Sequence, residues 1–191
     1  MTVTTSKRLS ARGRLLAAGD ELFYSEGVHA VGIDRVIEKA GVAKGSLYYT
    51  FGSKDELVRA YLEGRHAAWM ARIDAGIESQ SAPSARLLAV FDVLSDLFSE
   101  PGFRGCAFAN AVAEARPDGP EEQATAEFRN WLHGLFNGLA AATGVDDPFV
   151  LADQLVVLYD GANAAAQMDH SPVPARTARQ IAAMLVESAT R

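Results

Sequence analysis

Apolar residues recur at intervals of three and four along most of the chain, a spacing that places them on one face of an α-helix. In one short segment the apolar positions are Ile33, Val36, Ile37 and Ala40. Gly41 ends this segment, because glycine accepts the left-handed backbone that a helix exit requires. Alternating β-branched runs, which would indicate strands, are nearly absent. The pattern therefore predicts an all-α fold.

Breaks rich in glycine, serine and proline divide the chain into about nine helical segments. Ser53 is the expected N-cap of the long fourth helix, and Glu56 follows at the capping-box spacing. Pro120 stands at the start of the seventh, where a missing N–H is tolerated. The predicted helices cover roughly residues 7–25, 33–40, 43–51, 54–78, 85–99, 104–116, 120–143, 148–169 and 175–190.

Residues 32–57 combine two short helices around a tight turn with the start of a third helix. Val42 fills the turn, and Leu47 and Phe51 are expected to point inward. Small residues at the start of the second helix let its backbone come close to another surface. This is the layout of a helix-turn-helix, whose second helix enters the DNA major groove N-terminus first.

This region resembles the tetracycline-repressor (TetR) family of bacterial transcriptional regulators over about 50 residues in one unbroken register. The chain departs from the family pattern at two places, both away from the face expected to contact DNA. Val31 and Gly32 stand where the family often has a Ser or Thr helix cap, and Ile37 stands where a small alanine is common. The matching residues are Arg14, Leu16, Ala18, Leu22, Phe23, Gly27, Ile33, Ala40, Gly41, Val42, Gly45, Leu47, Tyr48, Phe51, Ser53, Lys54 and Leu57.

The resemblance implies two domains and a set of DNA-binding residues. A helix-turn-helix domain would cover residues 1–53, and a helical ligand-binding and dimerisation domain would cover residues 54–191. Residues at the start of the recognition helix would contact base edges, and the hydroxyl and lysine groups after them would contact phosphates. Arg35 is equally well explained as a surface partner of Glu38. The implied residues are Arg35, Ala43, Lys44, Gly45, Ser46, Tyr48, Tyr49, Thr50 and Lys54.

Charge is distributed unevenly along the 191 residues. The net charge of −6 argues against a nucleic-acid partner, but residues 1–60 hold nine basic and seven acidic side chains, a net +2, so the remainder carries −8. Residues 1–14 contain four basic side chains and no acid. This basic arm suits DNA, although an ordinary solvated tail explains it equally well.

Three further features of the sequence are those expected of a cytoplasmic protein. No apolar run approaches the ~20 residues that a membrane span requires. The N-terminal residues have no apolar core of the kind found in secretory signals. A single cysteine fits a reducing compartment.

The last two predicted helices are candidates for a homodimer interface. Helix eight is apolar on every side, so a second subunit would have to cover the part that its own core leaves open. The alternative is that these residues are all core. The relevant residues are Phe149, Val150, Leu151, Leu155, Val156, Val157, Leu158, Gly161, Ala162, Ala164, Ala165 and Ala166 in helix eight, and Ile181, Ala182, Leu185 and Val186 in helix nine.

A surplus of aromatic residues between helices five and eight indicates an apolar ligand cavity with a few polar groups. An aromatic stripe at helical spacing is more often plain core, so the lining stays open at this point. The candidate ligand-binding residues are Phe91, Phe98, Phe108, Asn110, Trp131, Tyr159 and Asn163.

Cys106 is the only thiol, and a position near the start of helix six with Arg104 beside it can lower a thiol pKa. It supports an alternative function, redox or electrophile sensing, against the simpler explanation of an inert buried cysteine. The histidines have no metal-ligand spacing, and we expect no metal and no cofactor. Since nucleophile–base pairs and phosphate loops are missing, we predict no enzyme activity; a helical ligand carrier or enzyme is the remaining rival.

The resemblance thus implies a homodimeric repressor of transcription that leaves a palindromic DNA operator when a small apolar or amphipathic effector binds. The effector would shift helix four and change the separation of the two recognition helices. The expected partners are double-stranded DNA, the effector and a second copy of the chain, with no membrane.

Overall fold

The computed structural model describes residues 9–190, and this range is helical with no strand. The all-α prediction is therefore confirmed. The helices are α1 (Ala11–Glu26), α2 (Ile33–Ala40), α3 (Lys44–Phe51), α4 (Lys54–Glu78), α5 (Pro83–Phe98), α6 (Ala107–Ala113), α7 (Pro120–Ala142), α8 (Pro148–Asp169) and α9 (Val173–Ala189).

Two helices differ from their predicted bounds. α1 begins at Ala11, not residue 7, because the Ser10 hydroxyl accepts the Gly13 N–H and caps the helix. Most of the predicted basic arm, residues 1–8, lies outside the described range. α6 is shorter than predicted, since Gly102 and Gly105 both adopt φ 84°, which cannot continue a right-handed helix.

The N-terminal three-helix unit (α1–α3) packs against the first turns of α4. α3 is anchored by one fully buried side chain, Leu47. Gly41 ends α2 in the left-handed conformation (φ 61°), as the sequence predicted. The core of this unit contains Leu15, Leu22, Phe23, Val36, Leu47, Leu57 and Tyr61.

α4 is shared by the N-terminal unit and the rest of the protein. Its 25 residues extend about 37 Å, and its packing partners are α1 and α3 at one end and α5, α6 and α7 beyond them. α4 and α5 approach closely at Gly76, where a Cβ would clash with the Val93 side chain. The core beyond α4 is built on Phe91, Leu94, Leu132, Phe136, Leu151 and Leu155.

The single anchor of α3 gives a stability prediction. Leu47→Ala removes a fully buried side chain, so we expect the free energy of unfolding to fall by about 2–5 kcal/mol in urea titrations followed by circular dichroism. The matched control is Tyr49→Ala on the same helix, because Tyr49 is 94% exposed and its loss should cost less than about 0.5 kcal/mol. Equal losses in the two variants would contradict this account of the helix.

Candidate DNA-binding surface and effector cavity

The N-terminus of α3 is open to solvent. Ala43 precedes it in an extended conformation and provides no side-chain cap, so the first N–H groups of the helix have no capping partner. Lys44 and Gly45 are exposed, and a Cβ on Gly45 would meet nothing within 4 Å. Ser46 is half-buried beside them. A phosphate or base edge therefore has free access to this end of the helix.

The cations near α3 are held by carboxylates of neighbouring helices. Lys44 Nζ lies 2.9 Å from Asp34 Oδ1, and this hydrogen bond raises the pKa of Lys44. Arg35 makes two hydrogen bonds, of 2.6 and 2.9 Å, to the Glu26 carboxylate. The sequence analysis considered Glu38 as the partner of Arg35, but in the structure the partner is Glu26. A nucleic-acid phosphate would have to compete with these exposed pairs.

The hydroxyl residues of α3 differ in how they are presented. Tyr49 projects into solvent and Tyr48 is about half exposed. Thr50 instead donates its hydroxyl hydrogen to the Ser46 carbonyl at 2.6 Å, so its side chain must rotate before it can donate to a phosphate.

Two cations near α3 lie differently from the sequence expectation. Lys54 is half-buried with Nζ 6.0 Å from the centre of the Phe23 ring, and this burial lowers its pKa. The Arg12 guanidinium lies 5.4 Å from the centre of the Phe51 ring, beside α3. Arg12 is therefore an additional cation at this surface, which the sequence placed only in a basic arm.

A cavity of about 190 Å³ lies beside α4. We call it the α4 cavity. Phe108, Tyr159 and Asn163, three of the candidate ligand-binding residues, are part of its wall. Its full lining is Tyr24, Arg65, Ala68, Trp69, Arg72, Leu97, Glu100, Gly105, Cys106, Ala107, Phe108, Phe128, Tyr159 and Asn163.

The other predicted ligand-binding residues do not line the α4 cavity. Phe91 is fully buried against Phe136, with ring centres 5.9 Å apart. Phe98 packs on Phe103 at 4.8 Å, and Trp131 lies edge-on to His66 at 5.2 Å.

Asn110 also lies outside the α4 cavity. Its Nδ2 donates to the Arg104 carbonyl at 2.8 Å, which ties α6 to the preceding loop. The aromatic content of the sequence indicated a cavity in this region. It could not distinguish the residues that line the cavity from those that are buried in the core.

The sequence missed the part of the wall contributed by α4 and α1. Arg65, Trp69 and Arg72 follow at the i, i+4, i+7 spacing and so lie on one face of α4. That spacing was a usable signal, although two arginines on a helix normally indicate a solvated face. Tyr24 belongs to α1, so a residue of the N-terminal unit forms part of the cavity wall.

The charged groups of this wall are paired. Arg65 makes a bidentate pair with Asp20, including a 2.9 Å bond to Oδ2, and its guanidinium lies 4.0 Å from the centre of the Tyr24 ring. Arg72 pairs with Glu100 at 2.5 Å. Each guanidinium group of the wall therefore has a carboxylate partner, although Asp20 itself does not line the cavity.

The neutral polar groups of the wall are buried. Burial raises the pKa of Tyr159 well above its ordinary value, and the adjacent Trp69 and Asn163 side chains oppose this rise only in part. Trp69 Nε1 is buried and has no hydrogen-bond partner within residues 9–190. The α4 cavity thus contains a buried donor that has no partner within residues 9–190, beside the aromatic side chains of its wall.

A second cavity of about 340 Å³ lies behind the first and shares Cys106, Phe108, Phe128 and Asn163 with it. The Phe108 and Phe128 rings stack between the two, with centres 4.1 Å apart and planes 2° from parallel. Cys106 is half-buried where the cavities meet. Burial raises its pKa more than the nearby backbone N–H groups lower it, which corrects the expectation of a lowered value.

The loop that walls the α4 cavity also contacts the N-terminal unit. The Tyr24 hydroxyl donates to the Gly105 carbonyl at 3.0 Å and accepts the Arg104 N–H at 2.9 Å. Further along, the Glu114 carboxylate accepts the His29 backbone N–H at 2.9 Å. The 104–105 loop and the end of α6 are therefore bonded directly to α1 and to the turn that follows it.

α8 and α9 carry apolar side chains that no other part of residues 9–190 covers. Leu151, Leu155 and Val156 of α8 are buried, as core residues would be. In contrast, Val157 is 72% exposed and Met168 is 74% exposed. The exposed apolar residues of both helices are Phe149, Val150, Val157, Met168, Val173, Ile181 and Met184. The predicted interface residues are thus divided between core and surface.

Within the described part of the chain, no helix is both long and apolar enough to cross a membrane.

Comparison with known proteins agrees with this geometry. Residues 15–61, which include α2 and α3, match the sequence profile of "Bacterial regulatory proteins, tetR family". The crystal structure of a TetR-family transcriptional regulator from Streptomyces coelicolor is 35% identical, with a TM-score of 0.89 over 95% of this chain and 96% of that one.

Relatives with curated names are also regulators. The repressor NemR of Escherichia coli is 28% identical over 87% of this chain and 89% of its own length. The crystal structure of its reduced form superposes with a TM-score of 0.80. An uncharacterised HTH-type regulator of Lactococcus lactis is 27% identical over 132 residues, and the chain spans only 64% of that protein's length.

Full-length similarity to the Streptomyces regulator, the matching profile and the helix-turn-helix geometry agree on one assignment. The chain belongs to the TetR family of bacterial transcriptional regulators.

Proposed function

We propose that this protein is a homodimeric repressor that binds a palindromic operator in the cytoplasm and leaves it when a small ligand occupies the α4 cavity. The observation that carries the DNA-binding part is the solvent-open N-terminus of α3, with Lys44, Gly45 and Tyr49 projecting outward. The DNA-binding unit ends at residue 53 in this proposal. The NemR relative, which is named a repressor, supports the direction of regulation.

The DNA-binding proposal is tested by selecting bound sequences from random duplex DNA at near-physiological salt, where we expect an enriched palindrome. In fluorescence anisotropy with that sequence, Lys44→Ala should weaken binding by about 1–3 kcal/mol and relax the preference at one base pair. Arg86→Ala is the control, because it removes one exposed cation from the distant helix α5. Absence of any enriched sequence, or equal effects of the two variants, would contradict the proposal.

The homodimer part rests on the uncovered apolar faces of α8 and α9. Val157, Gly161, Ala164 and Met168 are all exposed and lie along one stripe of α8. The small residues in the middle of that stripe permit close helix approach. Two α8–α9 pairs would bury it in a four-helix interface.

We expect the wild-type protein to sediment as a dimer and Val157→Glu to sediment as a monomer, because a carboxylate would be buried without a partner in the interface. Ala67→Glu, at an exposed position of α4, is the matched control and should remain dimeric. Analytical ultracentrifugation gives the answer directly. A dimer that tolerates Val157→Glu would place the interface elsewhere.

Release by a ligand requires a connection from the α4 cavity to α3, and Tyr24 supplies one. Its ring lines the cavity, its hydroxyl is bonded to the 104–105 loop, and its helix packs against α2 and α3. α4 supplies a parallel connection through Arg65, which pairs with Asp20 of α1. A ligand that moved either group would reorient the N-terminal unit, provided it bound the released state more tightly.

Tyr24→Phe keeps the ring and removes the hydroxyl that joins α1 to the loop at Arg104 and Gly105. We expect operator affinity to change by about two- to ten-fold, the equivalent of one net hydrogen bond, although Tyr24 lies outside α3. Ser25→Ala is the control, since that hydroxyl bonds only to the Leu22 carbonyl of its own helix. If neither variant alters operator affinity, the loop is not coupled to DNA binding.

Thiol sensing through Cys106 is the second candidate, and one observation favours it: the sulfur lies where both cavities meet, so an entering molecule passes it. The raised pKa opposes it, because the thiolate is the reactive form. We therefore place reversible ligand binding first.

A further inference from the structure

We propose that the α4 cavity takes an uncharged, one-ring ligand whose oxygen or nitrogen acceptor receives the Trp69 Nε1–H. This inference rests on the proposed function, since it names the class of effector for the same cavity. Three properties of the cavity lead to it: its paired charges, a buried indole donor without a hydrogen-bond partner within residues 9–190, and its size.

The charges exclude an ionised ligand of either sign. A ligand carboxylate would approach Glu100, and a ligand ammonium group would approach Arg65 and Arg72. Both arginines are already held, Arg65 by Asp20 and Arg72 by Glu100. Breaking one of these pairs to bind an ion would leave the displaced partner beside the ligand without a counter-charge, which is costly in a partly buried site.

The donor requires an acceptor. An indole N–H donates and never accepts, and Trp69 Nε1 is buried without a hydrogen-bond partner within residues 9–190. The nearby Tyr159 hydroxyl is an acceptor beside it in the wall: the Trp69 indole lowers the pKa of Tyr159 as a weak donor would, but the two groups fall short of hydrogen-bond geometry. A buried donor of this kind lowers stability until something satisfies it. A carbonyl, ether or pyridine-type atom on the ligand would do so without carrying charge.

Size and shape limit the rest of the ligand. A cavity of about 150 Å³ holds benzene, so about 190 Å³ accommodates one ring with a short substituent. Tyr24, Phe108, Phe128 and Tyr159 offer ring faces and edges to such a molecule.

The test is isothermal titration calorimetry of the full chain, without DNA, against four one-ring probes of similar size: acetophenone, ethylbenzene, benzoate and benzylamine. We expect acetophenone to bind most tightly. Ethylbenzene, which has no acceptor, should bind about ten-fold more weakly, the loss expected for one buried hydrogen bond. Benzoate and benzylamine should bind at least about ten-fold more weakly than acetophenone because their charges must be desolvated.

The two tryptophans of the chain provide the variant and its control. Trp69→Phe should abolish the preference for acetophenone over ethylbenzene while retaining ethylbenzene binding, which shows that the cavity is still formed. Trp131→Phe should keep the preference, because Trp131 lies against His66 and Phe128 outside the cavity.

Tight binding of either ion, a preference that survives Trp69→Phe, or no binding of any probe to the folded protein would overturn the inference. Its failure is distinguishable from failure of the proposed function, since the DNA selection contains no ligand and the calorimetry contains no DNA.

Discussion

The shared helix α4 is the constraint on which the rest of the structure depends. Its first turns bury Leu57 and Tyr61 in the core of the N-terminal unit, and its middle turns present Arg65, Trp69 and Arg72 to the cavity. In the proposed function, a displacement at Trp69 would be transmitted along α4 to the base of α3, because a helix bends only gently over a few turns. α4 would then connect the cavity to the DNA-binding surface, and the Tyr24 hydroxyl would provide a second link.

The parts of the fold that the sequence predicted are those determined within a few residues of chain. Helix periodicity, the Ser53 cap and the glycine exits are local, and the helices lie close to where these signals placed them. The helix-turn-helix could also be predicted from the sequence, because its turn and its inward-facing residues follow each other directly along the chain. Only α1 and α6 differ noticeably from their predicted bounds. In α1 the Ser10 cap, and in α6 the positive φ of the preceding glycines, outweighed the apolar periodicity.

The candidate site was harder to predict because its character is set by distant pairs. Arg65 is held beside the cavity by its pair with Asp20, which lies 45 positions earlier in the chain. Arg72 is held in the same way by Glu100. Single-sequence reasoning assigns an unpaired arginine to solvent, so both were missed. Phe91 and Trp131 show the opposite case: aromatic side chains at cavity-like spacing that turned toward other rings and became core.

In the proposed function, polar contacts between the N-terminal unit and the region around α6 would help a small ligand to act on the whole molecule. They include the Tyr24 bonds and the Glu114–His29 bond, and the Arg116–Asp55 pair at 3.1 Å joins the same region to the first turn of α4. Partly exposed hydrogen bonds and surface ion pairs each contribute about 1 kcal/mol or less. Couplings between sites are typically about 1–3 kcal/mol, so one added or lost contact is comparable with the whole effect. A larger apolar interface here would hold the N-terminal unit in one orientation whatever occupied the cavity. In the proposed function, these polar and partly solvated bonds would let the orientation of the N-terminal unit respond to a ligand the size of a single ring.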